Sequence, residues 1–206
     1  RGTPQNPGDI RYVDLNGDGE IFTGNETLEN PGDRSVIGNT NRRFQYGING
    51  SVSYKNLDMS FFLQGVGKRD IWISNQLYWP YQTNFEAVYK HHLDYWTAEN
   101  TDAFFPRNYR DATGNTGISR QVQTKYLSNG AYMRVRNITL GYTFPQEILK
   151  DLFIKNVRLF FTGENLFVFK HTPQGIDPEV NYAVESNSGG AYPFIRKFSF
   201  GLNLNF

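Results

Sequence analysis

The sequence predicts an all-β chain whose antiparallel strands form part of a large transmembrane β-barrel with long loops. Three observations carry that expectation. Five runs alternate apolar and polar residues, aromatics are abundant, and short connections alternate with long ones. Alternation with a period of two puts one kind of side chain on each face of a strand. Aromatics make up 16% of the 206 residues, with 17 Phe and 13 Tyr, beside 20 Gly. Mean hydropathy is −0.57, which by itself would suggest a soluble protein. Barrel strands also average out as polar, because lipid-facing and lumen-facing side chains alternate. No apolar run approaches the roughly 20 residues a membrane helix needs.

The first run, Phe44–Tyr54, sets Phe44, Tyr46, Ile48, Val52 and Tyr54 against Gln45, Asn49, Ser51 and Ser53. The second, Leu57–Val66, sets Leu57, Met59, Phe61 and Leu63 against Asp58, Ser60 and Gln64, and only Phe62 breaks the pattern. A tight turn at Lys55–Asn56 makes the pair a hairpin. The third run, Tyr132–Phe144, carries Ile138, Leu140, Tyr142 and Phe144 on one face. Arg134 and Arg136 fall on that same face by strict counting, so they are expected beyond the apolar band. Val157–Asn165 opposes Val157, Leu159 and Phe161 to Arg158, Thr162 and Glu164. In the last run, Phe198, Phe200, Leu202, Leu204 and Phe206 alternate with Ser199, Gly201, Asn203 and Asn205. Each run is about 9–11 residues, the length a tilted strand needs to cross a bilayer. A soluble antiparallel sandwich also alternates. The small, polar opposite face and the terminal aromatic Phe206 favour the membrane barrel.

Bacterial barrels have short periplasmic turns and long extracellular loops. Residues 55–56 and about 145–156 are the short connections. Residues 1–43, 67–131 and 166–196 are then expected outside the cell, with Phe206 in the periplasm. Residues 1–43 read as an extracellular loop and 44–206 as five strands with their loops. Five strands cannot close, and an edge open to lipid leaves backbone groups unpaired at several kcal/mol each. Further strands of a longer parent are therefore expected. Arg1 opens the chain without the regions of a signal peptide, so mature or truncated material is expected.

Several ordered segments resemble SusC/RagA-family, TonB-linked outer-membrane proteins. They include Asp14-Leu15-Asn16-Gly17-Asp18-Gly19, Asp33-Arg34-Ser35-Val36-Ile37-Gly38-Asn39 and Phe61-Phe62-Leu63-Gln64-Gly65-Val66-Gly67. Tyr95-Trp96-Thr97-Ala98-Glu99-Asn100, Arg136-Asn137-Ile138-Thr139-Leu140-Gly141-Tyr142 and Gly163-Glu164-Asn165-Leu166-Phe167 follow in the same order. Gly175-Ile176-Asp177-Pro178-Glu179 and the ending Phe200-Gly201-Leu202-Asn203-Leu204-Asn205-Phe206 complete the set. The resemblance implies the C-terminal portion of a 22-stranded importer of the Bacteroidota outer membrane. That importer would take up glycans or peptides with a SusD-like surface lipoprotein, driven by TonB through the absent N-terminal part. Two alternatives stay open: a secreted calcium-dependent carbohydrate-binding module, and another TonB-dependent receptor such as a siderophore importer.

Asp14–Glu20 follows the start of an EF-hand-type loop. Asp14, Asn16 and Asp18 offer side-chain oxygens, and Glu20 offers its carbonyl to a structural Ca²⁺. Ile21 stands where such loops anchor an apolar residue. Asn25, at the closing position, cannot supply a bidentate carboxylate. The resemblance implies that Asp33 closes the site instead, with residues 25–32 as an insertion. A metal-free Asn/Asp/Gly turn is the other reading. Trp72, Tyr78, Trp79 and Tyr81 are candidate contacts for a sugar or a partner, against the alternative of packing inside a long loop. Phe85–Trp96 has helical spacing. His91, His92 and His171 lack partners at zinc spacing. Arg134, Arg136, Arg158 and Glu164 are candidates for a charge network along the lumen or its rim, and Asp177-Pro178-Glu179 reads as turn chemistry. With no cysteine and a net charge of +1, thiolate sites and a nucleic-acid partner are not expected. Phosphate loops, nucleophile elbows and paired catalytic carboxylates are absent from the sequence, so no enzyme is expected.

Overall fold

A computed structural model describes residues 5–25, 27–74, 78–80, 88–109, 119–150, 153–180 and 194–206. The chain divides into two compact units. One holds residues 39–71, 128–180 and 192–206, and the other holds 1–38, 72–127 and 181–191.

The first unit is a five-stranded antiparallel sheet in the order β1-β2-β5-β6-β7. Its strands are β1 (Arg43–Tyr54), β2 (Leu57–Lys68), β5 (Tyr132–Thr143), β6 (Asn156–Lys170) and β7 (Lys197–Asn205). A two-residue ladder, β3 (Asp70–Ile71) with β4 (Ser128–Asn129), extends the β2–β5 pair. Each expected run is a strand, and β6 runs five residues beyond its expected end. Lys55 turns the first hairpin in the left-handed region at φ 54°. The Asn56 side chain donates to the Thr143 carbonyl at 2.7 Å, tying that turn to β5. Between β5 and β6 the short connection contains one helical turn, α1 (Gln146–Leu149).

Directly opposed residues of antiparallel strands share a face, so the register extends each strand's apolar stripe across the whole sheet. One rung joins Val52, Met59, Leu140, Phe161 and Phe200, and the next joins Tyr54, Leu57, Tyr142, Leu159 and Leu202. Phe161 packs against Phe200 with ring centroids 4.9 Å apart. The other face carries a rung of hydroxyls: Ser51, Ser60, Thr139, Thr162 and Ser199. Thr139 and Thr162 hydroxyls meet at 2.9 Å. Phe62, the residue that breaks the alternation of β2, covers a missing side chain on this polar face: its ring lies against the bare Cα of Gly47.

The expectation for Arg134 and Arg136 is corrected by a β-bulge. Asn137 pairs with Phe62 and Val135 with Leu63, which leaves Arg136 as an extra residue in β5. The β5–β6 register shifts at the same level, where Asn165 takes φ 52°. A one-residue bulge reverses the facing of everything beyond it. Val135 therefore joins the apolar face opposite Leu63, and Arg134 joins the polar face opposite Gln64. The arginines escape the apolar side by changing face.

The second unit is a loop module with its own aromatic core. Ile73, Tyr78, Trp79, Phe105 and Tyr126 are all buried. The Trp79 indole donates to the Ile73 carbonyl at 2.7 Å, and the Tyr126 hydroxyl donates to the Phe104 carbonyl at 2.6 Å. The helix expected over Phe85–Trp96 is reduced to a 3₁₀ turn at Lys90–Leu93, while residues 85–87 lie outside the described residues.

Candidate functional site

Four groups of side chains have the chemistry to act, and they lie on different parts of the chain. The densest is on the polar face where β5 meets the segment after β6. Arg134 donates through Nη2 to both Asp177 carboxylate oxygens at 2.7 Å. Its Nε lies 2.8 Å from Glu179 Oε2, an ion pair without hydrogen-bond alignment. Arg136 reaches Glu179 Oε1 at 2.6 Å and also donates to Gln64 and Asn165. The Tyr132 hydroxyl donates to the same Glu179 oxygen at 2.6 Å. Phe194 lies under both guanidinium groups, 4.9 and 5.1 Å from its centroid. The Arg134 side chain is only 3% exposed, so its charge depends on these carboxylates.

The second group is nearer the opposite end of the strands. Arg158 on β6 pairs with Asp58 on β2, with Nη2 to Oδ2 at 2.5 Å, across the intervening strand β5. Gly141 on β5 lies beneath, and any Cβ there would meet both partners. The Phe160 ring likewise occupies the space above Gly201. Of the four residues expected in one charge network, Arg134 and Arg136 form one cluster and Arg158 another. Glu164 pairs in register with Lys197. Asp177, Glu179, Tyr132, Gln64 and Asn165 joined the first cluster without a local sequence signal, apart from the Asp-Pro-Glu turn.

The third group is the Asp14 loop. Asp14 accepts the backbone N–H of Gly17 at 2.6 Å and of Gly19 at 2.8 Å. Asn16 accepts from Asp18 N, and Asp18 accepts from Glu20 N. Gly17 and Gly19 supply the left-handed turns, at φ 78° and 83°. Asp33 is brought back onto this loop: its two oxygens accept Leu15 N and Phe22 N, each at 2.7 Å. Those backbone donors, Phe22 first, hold the Asp33 carboxyl below the usual carboxylate range. Within the expected insertion, Asn25 N donates to Asn30 O at 3.1 Å. Ile21 is half exposed rather than anchored. Oxygen donors of this kind suit a hard cation such as Ca²⁺. Among the described residues, no three His, Cys, Asp or Glu side chains converge as a metal-binding group.

The fourth group is the aromatic set of the loop module. Tyr78 and Trp79 are 4% and 2% exposed, so their rings are occupied by internal packing. Trp79 packs edge-on to Tyr126 at 4.7 Å, and Trp72 lies 5.9 Å from Trp79. Tyr81 lies outside the described residues. Burial pushes the Tyr126 hydroxyl well above the ordinary tyrosine range, with Tyr78 adding to it.

No protein-family model matches the chain. Among curated proteins, the chain is 31% identical to TonB-dependent receptor P3 of Formosa agariphila, over 97% of the chain and 19% of that protein. It is 29% identical to TonB-dependent receptor SusC of Bacteroides thetaiotaomicron, over 95% of the chain and 17% of that protein. Among solved structures, the RagAB peptide importer in its open-open state matches with a TM-score of 0.54 and 22% identity. That match covers 79% of this chain and 17% of the solved one. The chain thus spans about a fifth of the length of the curated relatives it matches.

A sheet apolar across one whole face, polar across the other, and of this fold is a wall segment of a large transmembrane β-barrel. Along nearly its whole length the chain is similar to TonB-dependent receptors, SusC among them, and it shares the fold of the RagAB importer.

Proposed function

We propose that this chain is the C-terminal wall segment of an outer-membrane importer that takes up glycans or peptides, powered through TonB and working with a SusD-like surface lipoprotein. The observation that carries the reading is the continuous apolar band across five strands. Along β1 it runs ten residue steps, from Phe44 to Tyr54. At about 3.3 Å per step and a tilt near 45°, that is roughly 23 Å of height, close to the lipid-facing band of such barrels. Soluble monomers rarely expose contiguous apolar patches of more than a few hundred Å², which disfavours the secreted binding module. Similarity to SusC and to a peptide importer supports a nutrient over a siderophore. On this reading residues 1–43, 67–131 and 166–196 face outward and Phe206 faces the periplasm.

The test is made on the full-length receptor. It is purified from native outer membranes, its co-purifying lipoprotein is identified, and uptake of labelled oligosaccharides and oligopeptides is compared with a deletion strain. TonB-dependent uptake of one class, together with a SusD-like partner, is the expected outcome. Uptake of iron chelates alone would overturn the reading.

Ca²⁺ in the Asp14 loop belongs to the same proposal, as a structural ion held by Asp14, Asn16, Asp18 and the Glu20 carbonyl, with Asp33 bracing the loop. Calcium at a hundred times its dissociation constant stabilises a site by about 2.7 kcal/mol. Millimolar calcium is therefore expected to slow proteolysis within residues 5–33 of the full-length protein. Asp14→Ala should abolish that protection, and equal cleavage with and without calcium in the unaltered protein would sink the ion.

A further inference from the structure

The segment that follows β6 is held by more than a turn requires. Lys170 donates through Nζ to the carbonyls of Pro173 and Ile176, at 2.7 and 2.5 Å. The Thr172 hydroxyl donates to the Ile176 carbonyl at 2.8 Å, and Glu179 N donates to Asp177 Oδ1 at 3.0 Å. Ile176 and Pro178 are buried. Arg69, beyond the end of β2, donates to the Pro178 carbonyl at 2.9 Å. The side chains that grip Asp177 and Glu179, namely Tyr132, Arg134 and Arg136, come from the rungs that the bulge turned onto the polar face or left at its level. Without the bulge, Arg134 would stand on the apolar side, away from the two carboxylates.

We propose that His171–Val180 is a fixed strap, latched across the polar face by Asp177 and Glu179, that seals this part of the barrel interior from solvent. The inference rests on the reading of the polar face as the lumen. Arg134 and Tyr132 are 3% and 6% exposed, and Val66, opposite Tyr132 in the ladder, is 2% exposed. Burial this deep on a polar face requires a cover, and the strap supplies it over Tyr132 through the Glu179 bond and over Arg134 through the paired carboxylates, beside the Phe194 ring. A buried arginine whose carboxylates leave is strongly disfavoured, so the strap does not swing freely. It is a permanent ledge inside the barrel, unlike a lid.

The test uses the full-length receptor in its membrane and needs no knowledge of substrate or lipoprotein. In the unaltered protein, amide hydrogen exchange across residues 172–180 should be as slow as in β5, and fast exchange there overturns the strap outright. Val66→Cys should react slowly with a membrane-impermeant thiol reagent applied to intact cells, measured against the receptor without that cysteine. Adding Asp177→Asn and Glu179→Gln together should speed strap exchange at least tenfold and raise the labelling rate of Val66→Cys at least fivefold. Faster exchange with unchanged labelling would show that the strap seals nothing, and unchanged exchange would remove the latch. Arg158→Lys, in the other ion pair, should leave both readings as they were. If the double variant fails to assemble, the exchange measurement on the unaltered protein still decides. A locked strap in a receptor that imports neither glycans nor peptides would leave this inference standing and remove the proposed function.

Discussion

Phe200→Arg is expected to deplete the assembled receptor from the outer membrane, while Asn203→Arg, three residues along the same strand, is expected to be tolerated. Phe200 sits mid-strand on the apolar face, 84% exposed within this chain and packed against Phe161. Asn203 pairs with Arg158 on the polar face. An arginine on the lipid face near the bilayer centre costs roughly 2–4 kcal/mol, a factor on the order of 30 to 1,000 in the folding equilibrium. On the polar face the same side chain reaches water. The measurement is heat-modifiable migration of the full-length protein in outer-membrane fractions. Equal assembly of the two variants, or failure of Asn203→Arg alone, would invert the assignment of faces.

A second large effect is expected in the loop module. Trp79→Ala should cost about 3–5 kcal/mol, the usual penalty for truncating a buried tryptophan. It also leaves the Ile73 carbonyl without its indole donor and opens space beside Tyr78, Phe105 and Tyr126. The loss is confined to this module, so the barrel should still assemble. Proteolysis within residues 72–127 should then become rapid in a protein that remains heat-modifiable. Loops whose stability lies far below that of the ladder open on their own, and the variant moves this module toward that end. If cleavage within 72–127 is as slow as in the unaltered receptor, Trp79 is not the centre of the core. Trp72, only partly buried, should give a smaller effect when truncated to alanine.

The two variants divide what local pattern and distant contact each contribute. The five strands, their faces and the first hairpin were legible because side-chain alternation is local: a residue's face follows from its neighbours two positions away. The turn at Asp14, Asn16 and Asp18 was legible for the same reason, since their oxygens cap N–H groups within five residues. Phe62 looked like an error of pattern because the gap it fills, at Gly47, belongs to another strand. Strict counting put Arg134 and Arg136 on the apolar face because a bulge is a relation between strands, invisible to the count. Nothing in Arg-Val-Arg-Asn announces that one residue will go unpaired opposite Phe62 and Leu63.

The sequence by itself determined an alternating, aromatic-rich sheet with one apolar face, because burial in lipid selects side chains two by two along each strand. Only the tertiary structure decided which polar groups meet. The Arg134–Asp177 bond joins residues 43 apart and the Arg158–Asp58 bond joins residues 100 apart. Long-range charge pairs carry no period, and their partners are set by strand register and by which loop folds back over which rung. The same holds for Tyr78 and Trp79. Their composition suited a binding surface as well as a core, and only their burial against residues 27 and 47 positions away placed them inside.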